Sequence, residues 1–152
     1  MNKKFDQALY DENDRIAKAA VANYLTRTKR VRIEEGTQYG VDLHMYQDDK
    51  LVGVIEVERR HNWVDTFPFR TVHVPLRKRK LLEGTPASSF LFSVRSDCAM
   101  ALWCPGETIL ASPVVSMSNK YMDNEQFFDV PSLHWRLVDL NSGKSDYMCD
   151  ND

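Results

Sequence analysis

From Val41 to His44 and from Ile55 to Glu58 apolar and polar residues alternate with a period of two, and a short polar stretch followed by the apolar run Leu51-Val52-Gly53-Val54-Ile55 joins them. Val41-Asp42-Leu43-His44-Met45-Tyr46 and Leu51-Val52-Gly53-Val54-Ile55-Glu56-Val57-Glu58-Arg59-Arg60 therefore read as two strands of a hairpin. Successive strand side chains point to opposite faces. Asp42 then shares a face with His44, and Glu56 with Glu58, while Val41, Leu43, Met45, Ile55 and Val57 point the other way. Upstream, Ala17, Val21, Leu25 and Ile16, Ala20, Tyr24 recur at i+4, which predicts a helix over Asp11 to Arg30 with one apolar stripe. Asp11 or Asn13 would cap it. Asp14 lies three residues before Ala17, on the edge of the stripe, where an acid points toward the sheet the helix covers.

Further strands are expected at Arg30–Glu34, Thr71–Val74, Ser89–Val94 and Ala99–Trp103, with Arg95-Ser96-Asp97 as a hairpin turn. Thr108–Ala111 and Pro113–Met117 read as two more, and Phe127-Phe128 and His134–Val138 carry apolar weight near the end. Residues 61–70 read as an irregular aromatic loop. Pro75 suits the first turn of a basic helix through Leu82 that Gly84 ends. Helix, strands, basic helix, strands predicts an α+β fold: a mixed central β-sheet flanked by helices. Residues 1–140 read as one domain and 141–152 as a disordered acidic tail.

Composition changes this picture little. The chain has 152 residues, enough for one domain with a real core. No apolar run approaches the ~20 residues that span a bilayer, and the start reads as no signal peptide. Three cysteines without zinc-like spacing suit a reduced, cytoplasmic compartment. The net charge of −2 argues against a generic basic nucleic-acid protein, but its distribution is uneven. From Arg59 to Lys80 seven Lys or Arg residues face one acid, Asp65. This basic block directly follows the acids of the hairpin.

If the hairpin loop is Asp48 to Lys50, Gln47 pairs with Leu51 and Asp42 lies opposite Glu56. Opposed residues sit about 4.5–5.5 Å apart. Three carboxylates on one strand face repel unless a cation joins them, and hard oxygen donors suit Mg²⁺ or Mn²⁺. The plainer reading is a solvated strand face.

This arrangement resembles the PD-(D/E)XK nuclease superfamily. That family's core is a helix, a three-stranded antiparallel meander, a second helix and further strands. Its site takes an acid from the first helix, an Asp on the second strand and an acid-x-Lys on the third. Here Gly40-Val41-Asp42 matches the second-strand motif, and Glu56-Val57-Glu58 stands at the third. Asp14 is the candidate for the helix acid, with Asp11 and Glu12 as alternatives. The resemblance covers about residues 11–95 and implies a restriction-endonuclease-like core that hydrolyses DNA phosphodiesters. It implies catalytic roles for Asp42, Glu56, Glu58 and Asp14, and a metal held by Asp42, Glu56 and the Val57 carbonyl. The third-motif Lys is Glu58 here, as in some restriction enzymes of the superfamily. A Glu cannot supply positive charge, though it can accept a proton from water. Arg77, Lys78 or Lys80 of the following helix could supply the missing cation. Those three with Arg60 and His44 are the expected DNA contacts.

Small size points to a stand-alone enzyme directed by DNA structure, as small phage or junction-resolving nucleases are. A homodimer would let two sites cut two strands. The alternatives are an inactive nuclease-fold module that binds DNA or protein, and a structural protein whose acids are merely solvated. His61-Asn62 also suggests a His-metal-finger nuclease, but His73 and His134 are badly placed for its second ligand. Trp63, Phe67 and Phe69 could stack on an unpaired base; aromatics this dense read as core.

Overall fold

The structure, a computed structural model, describes residues 7–36, 40–83, 87–117 and 125–142, with side chains from Asp14 onward. Asp11 and Glu12 lie in a helix, but their side chains fall outside this description, as do Gly84, Cys149 and residues 143–152 of the expected tail.

The fold is α+β with a mixed six-stranded sheet and a second, three-stranded one. Helix α1 (Gln7–Lys29) leads into an antiparallel meander of β1 (Arg32–Glu35), β2 (Leu43–Gln47) and β3 (Lys50–Arg60). After β4 (Thr71–Pro75), a 3-10 turn over Leu76–Lys78 and helix α2 (Arg79–Glu83), β5 (Ser88–Arg95) enters beside β3 and parallel to it. The chain continues through β6 (Met100–Pro105), α3 (Gly106–Leu110), β7 (Val114–Met117), β8 (Glu125–Pro131) and β9 (Arg136–Asp139). The large sheet runs β1-β2-β3-β5-β6-β9 and the small one β4-β8-β7. Among the described residues no helix is long and apolar enough to cross a membrane.

Alternation along the strands builds two cores. Ala17, Val21, Tyr24 and Leu25 of α1 pack with Leu43, Ile55, Val57, Phe92 and Val94 on one face of the large sheet. Leu91, Leu102 and Cys104 point to the other face, against Val72, Val74, Phe128 and Val130 of the small sheet and Leu82 and Ile109 of α2 and α3. Burial pushes the Cys104 thiol up to about 12.

Parallel pairing requires a crossover, because the chain must return to the starting end of the sheet. Here β4, the 3-10 turn and α2 make that return. It carries basic residues back past the Glu56 face of β3.

Three local expectations change. Thr108–Ala111 do not form a strand: Thr108 to Leu110 lie in α3, entered from extended Pro105 with Glu107 in its first turn. The basic helix is split, since only Arg79–Glu83 is α-helical and Pro75 ends β4. Helix α1 already begins at Gln7, so Asp11 and Asn13 lie within it and not at its cap.

Candidate active site

The β2–β3 register decides where the acids meet. Gln47 pairs with Lys50 across a two-residue turn, Asp48-Asp49, both with positive φ. This is the primed turn whose twist matches its strands. The register then shifts between Met45 and Tyr46, leaving Val52 as an extra residue, and Met45 pairs with Gly53 and Leu43 with Ile55. The shorter turn and the bulge each move the register by one residue and cancel. Asp42, one residue before β2, thus stands across from Glu56, as expected.

Side chains continue the ladder there. The Asp42 N–H donates to Glu56 Oε2 at 3.1 Å, and the Val57 N–H donates to Asp42 Oδ2 at 2.8 Å. Each carboxylate thereby spends one oxygen on the main chain. Its second oxygen faces a lysine: Lys18 Nζ lies 3.3 Å from Asp42 Oδ1, and Lys78 Nζ 2.7 Å from Glu56 Oε1. Lys18 also pairs with Asp14 at 3.1 Å, one helical turn earlier. Lys78 reaches within 3.8 Å of Glu58 Oε2, and Glu58 Oε1 accepts from Arg60 at 3.1 Å.

Asp14, Asp42, Glu56, Val57, Glu58, Arg77 and Lys78 line one cleft of about 280 Å³, together with Arg59 and His61. Glu56 is its buried acid, with a side chain 5% exposed. Burial raises the Glu56 carboxyl above the ordinary carboxylate range; Lys78 opposes the shift and Asp42 adds to it. Burial alone would lower Lys78, but the Glu58 and Glu56 carboxylates hold it above its ordinary value. Lys18 is raised likewise, against its own partial burial, by Asp14 and Asp42.

No family model, curated protein or solved structure matches this chain.

The remaining candidates separate. Val57 meets Asp42 through its N–H. Arg60 is committed to structure, donating to Glu58, to Ser93 Oγ at 3.2 Å and to the His73 carbonyl at 2.8 Å. Arg77 is exposed at the rim, 4.0 Å from Glu125. Lys80 is exposed on α2 and His44 is buried in β2; neither lines the cleft. Sequence reasoning missed Lys18. Lys18 was readable, because it lies four residues after Asp14 on the same helix face. Arg59 points away from Glu58 along β3 and donates to the Ser96 carbonyl at 2.9 Å, yet it lines the rim because the strand ends there.

Among the described residues no three acid, His or Cys side chains are gathered closely enough to hold a metal ion. The donor chemistry still fits a hard divalent cation: Asp42 and Glu56 are fixed side by side, and among the described residues Asp42 Oδ1 and Glu56 Oε1 face lysines while the other oxygens take the backbone N–H groups. In the present arrangement two ammonium groups balance them instead.

Proposed function

We propose that the protein is a metal-dependent nuclease of the PD-(D/E)XK type, hydrolysing DNA phosphodiester bonds in the cleft of Asp42, Glu56 and Glu58. One observation carries this reading. Lys78, delivered by the crossover, lies 2.7 Å from Glu56 and 3.8 Å from Glu58, beside the position where the family carries its Lys. Positive charge absent from position 58 is thus supplied by the 3-10 turn that follows β4.

In this reading Asp42 and Glu56 would hold Mg²⁺ or Mn²⁺ through the oxygens that now face Lys18 and Lys78. Such an ion lowers the pKa of a bound water and offsets phosphate charge. The chain's own groups do the rest. The Lys78 ammonium neutralises a non-bridging phosphate oxygen as charge develops there. Glu58, held by Arg60, accepts the proton of the attacking water. Arg77 at the rim binds a flanking phosphate. Action inside the cell, and a homodimer with two sites, belong to the same proposal.

A second reading has its own support. Both outward oxygens already pair with lysines, so the cluster is electrically balanced without an ion. A nuclease-fold module that binds without cutting would look like this.

The test uses branched and linear DNA, with Mg²⁺, Mn²⁺ or EDTA, and Glu56→Ala beside the wild type. The nuclease reading expects metal-dependent cutting that Glu56→Ala abolishes and that Lys78→Met slows about a hundredfold. No cutting with either metal favours the binding module. Cutting that survives in Glu56→Ala refutes the assignment of the carboxylates.

A further inference from the structure

The carboxylate cleft adjoins a second one, and Glu58, Arg59 and His61 line both. The second cleft, about 590 Å³, lies between the segment after β3 and the small sheet. Its size is that of small-molecule sites, ~300–1,000 Å³. Rings make up much of its wall. The segment after β3 contributes Phe67, edge-on to Phe69 with centroids 5.6 Å apart. The small sheet contributes His73 and Phe127, 5.7 Å apart and tilted by 34°. His73 is fixed by Asp129, Nε2 to Oδ1 at 3.0 Å.

These aromatics are not all core. Trp63, behind Phe67, is 2% exposed and donates its indole N–H to the Asp65 carbonyl. Phe69 is 54% exposed and Met117 on β7 is 42% exposed. Arg60 is engaged by Glu58, Ser93 and His73. The cleft thus sets partly exposed aromatic rings beside the polar groups of Glu58, Arg59, His61 and Asn62, which suits a flat ligand bound by stacking next to a charged group.

We propose that this cleft receives an unpaired nucleobase of the strand whose phosphodiester lies against the acids. The inference rests on the nuclease reading and narrows its substrate to single-stranded or branched nucleic acid. The two clefts share a wall, so one ligand filling both is a chain with an anionic phosphate at one point and a flat ring beside it. Stacking on aromatic side chains tolerates any base. In an intact duplex each base is paired and stacked, so only an unpaired or extruded base reaches such a cleft.

The test measures binding by the full chain in EDTA, where no cutting intervenes. The probe is a single-stranded oligodeoxynucleotide carrying 2-aminopurine, compared with the same strand in a duplex and with an abasic strand. The expected result is tighter binding of the single strand, with 2-aminopurine fluorescence quenched. Phe69→Ala should weaken single-strand binding about tenfold and relieve the quenching, leaving duplex affinity unchanged. Phe69→Trp should keep both. Phe69 is exposed, so Phe69→Ala should melt like the wild type, which the same samples verify. Equal affinity for single strand, duplex and abasic strand, or wild-type binding by Phe69→Ala, overturns the proposal. Metal-dependent cutting with wild-type binding by Phe69→Ala would remove the base cleft alone. Phe69-dependent stacking without cutting would remove the catalytic reading and keep the cleft.

Discussion

Replacing Lys78 by methionine keeps an unbranched apolar stem and deletes only the ammonium 2.7 Å from Glu56 and 3.8 Å from Glu58. The Lys78 and Glu56 side chains are 16% and 5% exposed, so solvent compensates little. Removing one partner of a buried pair typically costs about 3–5 kcal/mol. The penalty here has a ceiling, because Glu56 can take a proton rather than stay charged and unpaired. From the ordinary carboxyl value of 4.5, protonation at pH 7 costs about 3.4 kcal/mol and at pH 5 about 0.7 kcal/mol. Burial already raises the Glu56 carboxyl, which lowers the ceiling further. The expected loss is about 2–3 kcal/mol at pH 7, or a fall in Tm of about 4–10 °C. An acid whose folded pKa is raised contributes stability below its unfolded value, and that contribution is lost as pH climbs through the folded one. Loss of Lys78 raises Glu56 more, so the deficit should open above pH 4.5 and be small at pH 5. Lys78 itself is held above 10.5, so its own deprotonation adds nothing in this window. Urea unfolding of both proteins at pH 5 and pH 7.5, at matched ionic strength, measures the difference. Equal deficits at the two pH values would mean that packing of the stem was lost and not charge balance, and the electrostatic account of the cleft would be wrong.

Other expectations are simpler to measure. Asp49→Gly should stabilise the protein by up to about 1 kcal/mol in urea unfolding, because Asp49 holds φ of 62° where glycine carries no Cβ penalty. Gly106→Ala should destabilise by about 1–3 kcal/mol, since the added methyl would overlap Ser89 Oγ and break its 2.6 Å bond to the Leu82 carbonyl. Combining it with Ser89→Ala should recover part of that loss; no recovery would place the clash elsewhere.

Periodicity made the acids legible and left the cation ambiguous. Apolar alternation separates Glu56 and Glu58 from Ile55 and Val57, and the register that pairs Leu43 with Ile55 also brings Asp42 to Glu56. The two-residue turn escaped notice because Asp48-Asp49 lacks the glycine that usually marks it. Three basic residues were candidates for the missing charge. Residues two apart point to opposite sides of a helical turn, and the turn over Leu76–Lys78 after β4 puts Lys78 in the cleft and leaves Lys80 outside it. The α3 error came from Thr108 and Ile109, whose β-branched side chains favour strand in a segment too short to show a helical period. Arg60 looked available for phosphate, but it shares a face with Glu58 and lies beside Ser93 of β5, and both engage it.

Where β2 gives out, main-chain pairing is handed to carboxylates, and the amide protons of Asp42 and Val57 end on the oxygens of Glu56 and Asp42. Those two amides are therefore built-in sensors. Protonation, cation binding or loss of either acid changes the charge on the atom each proton touches. In a nitrogen-15 spectrum they would be read without any attached reporter group, and they would separate an event at Glu56 from one at Asp42.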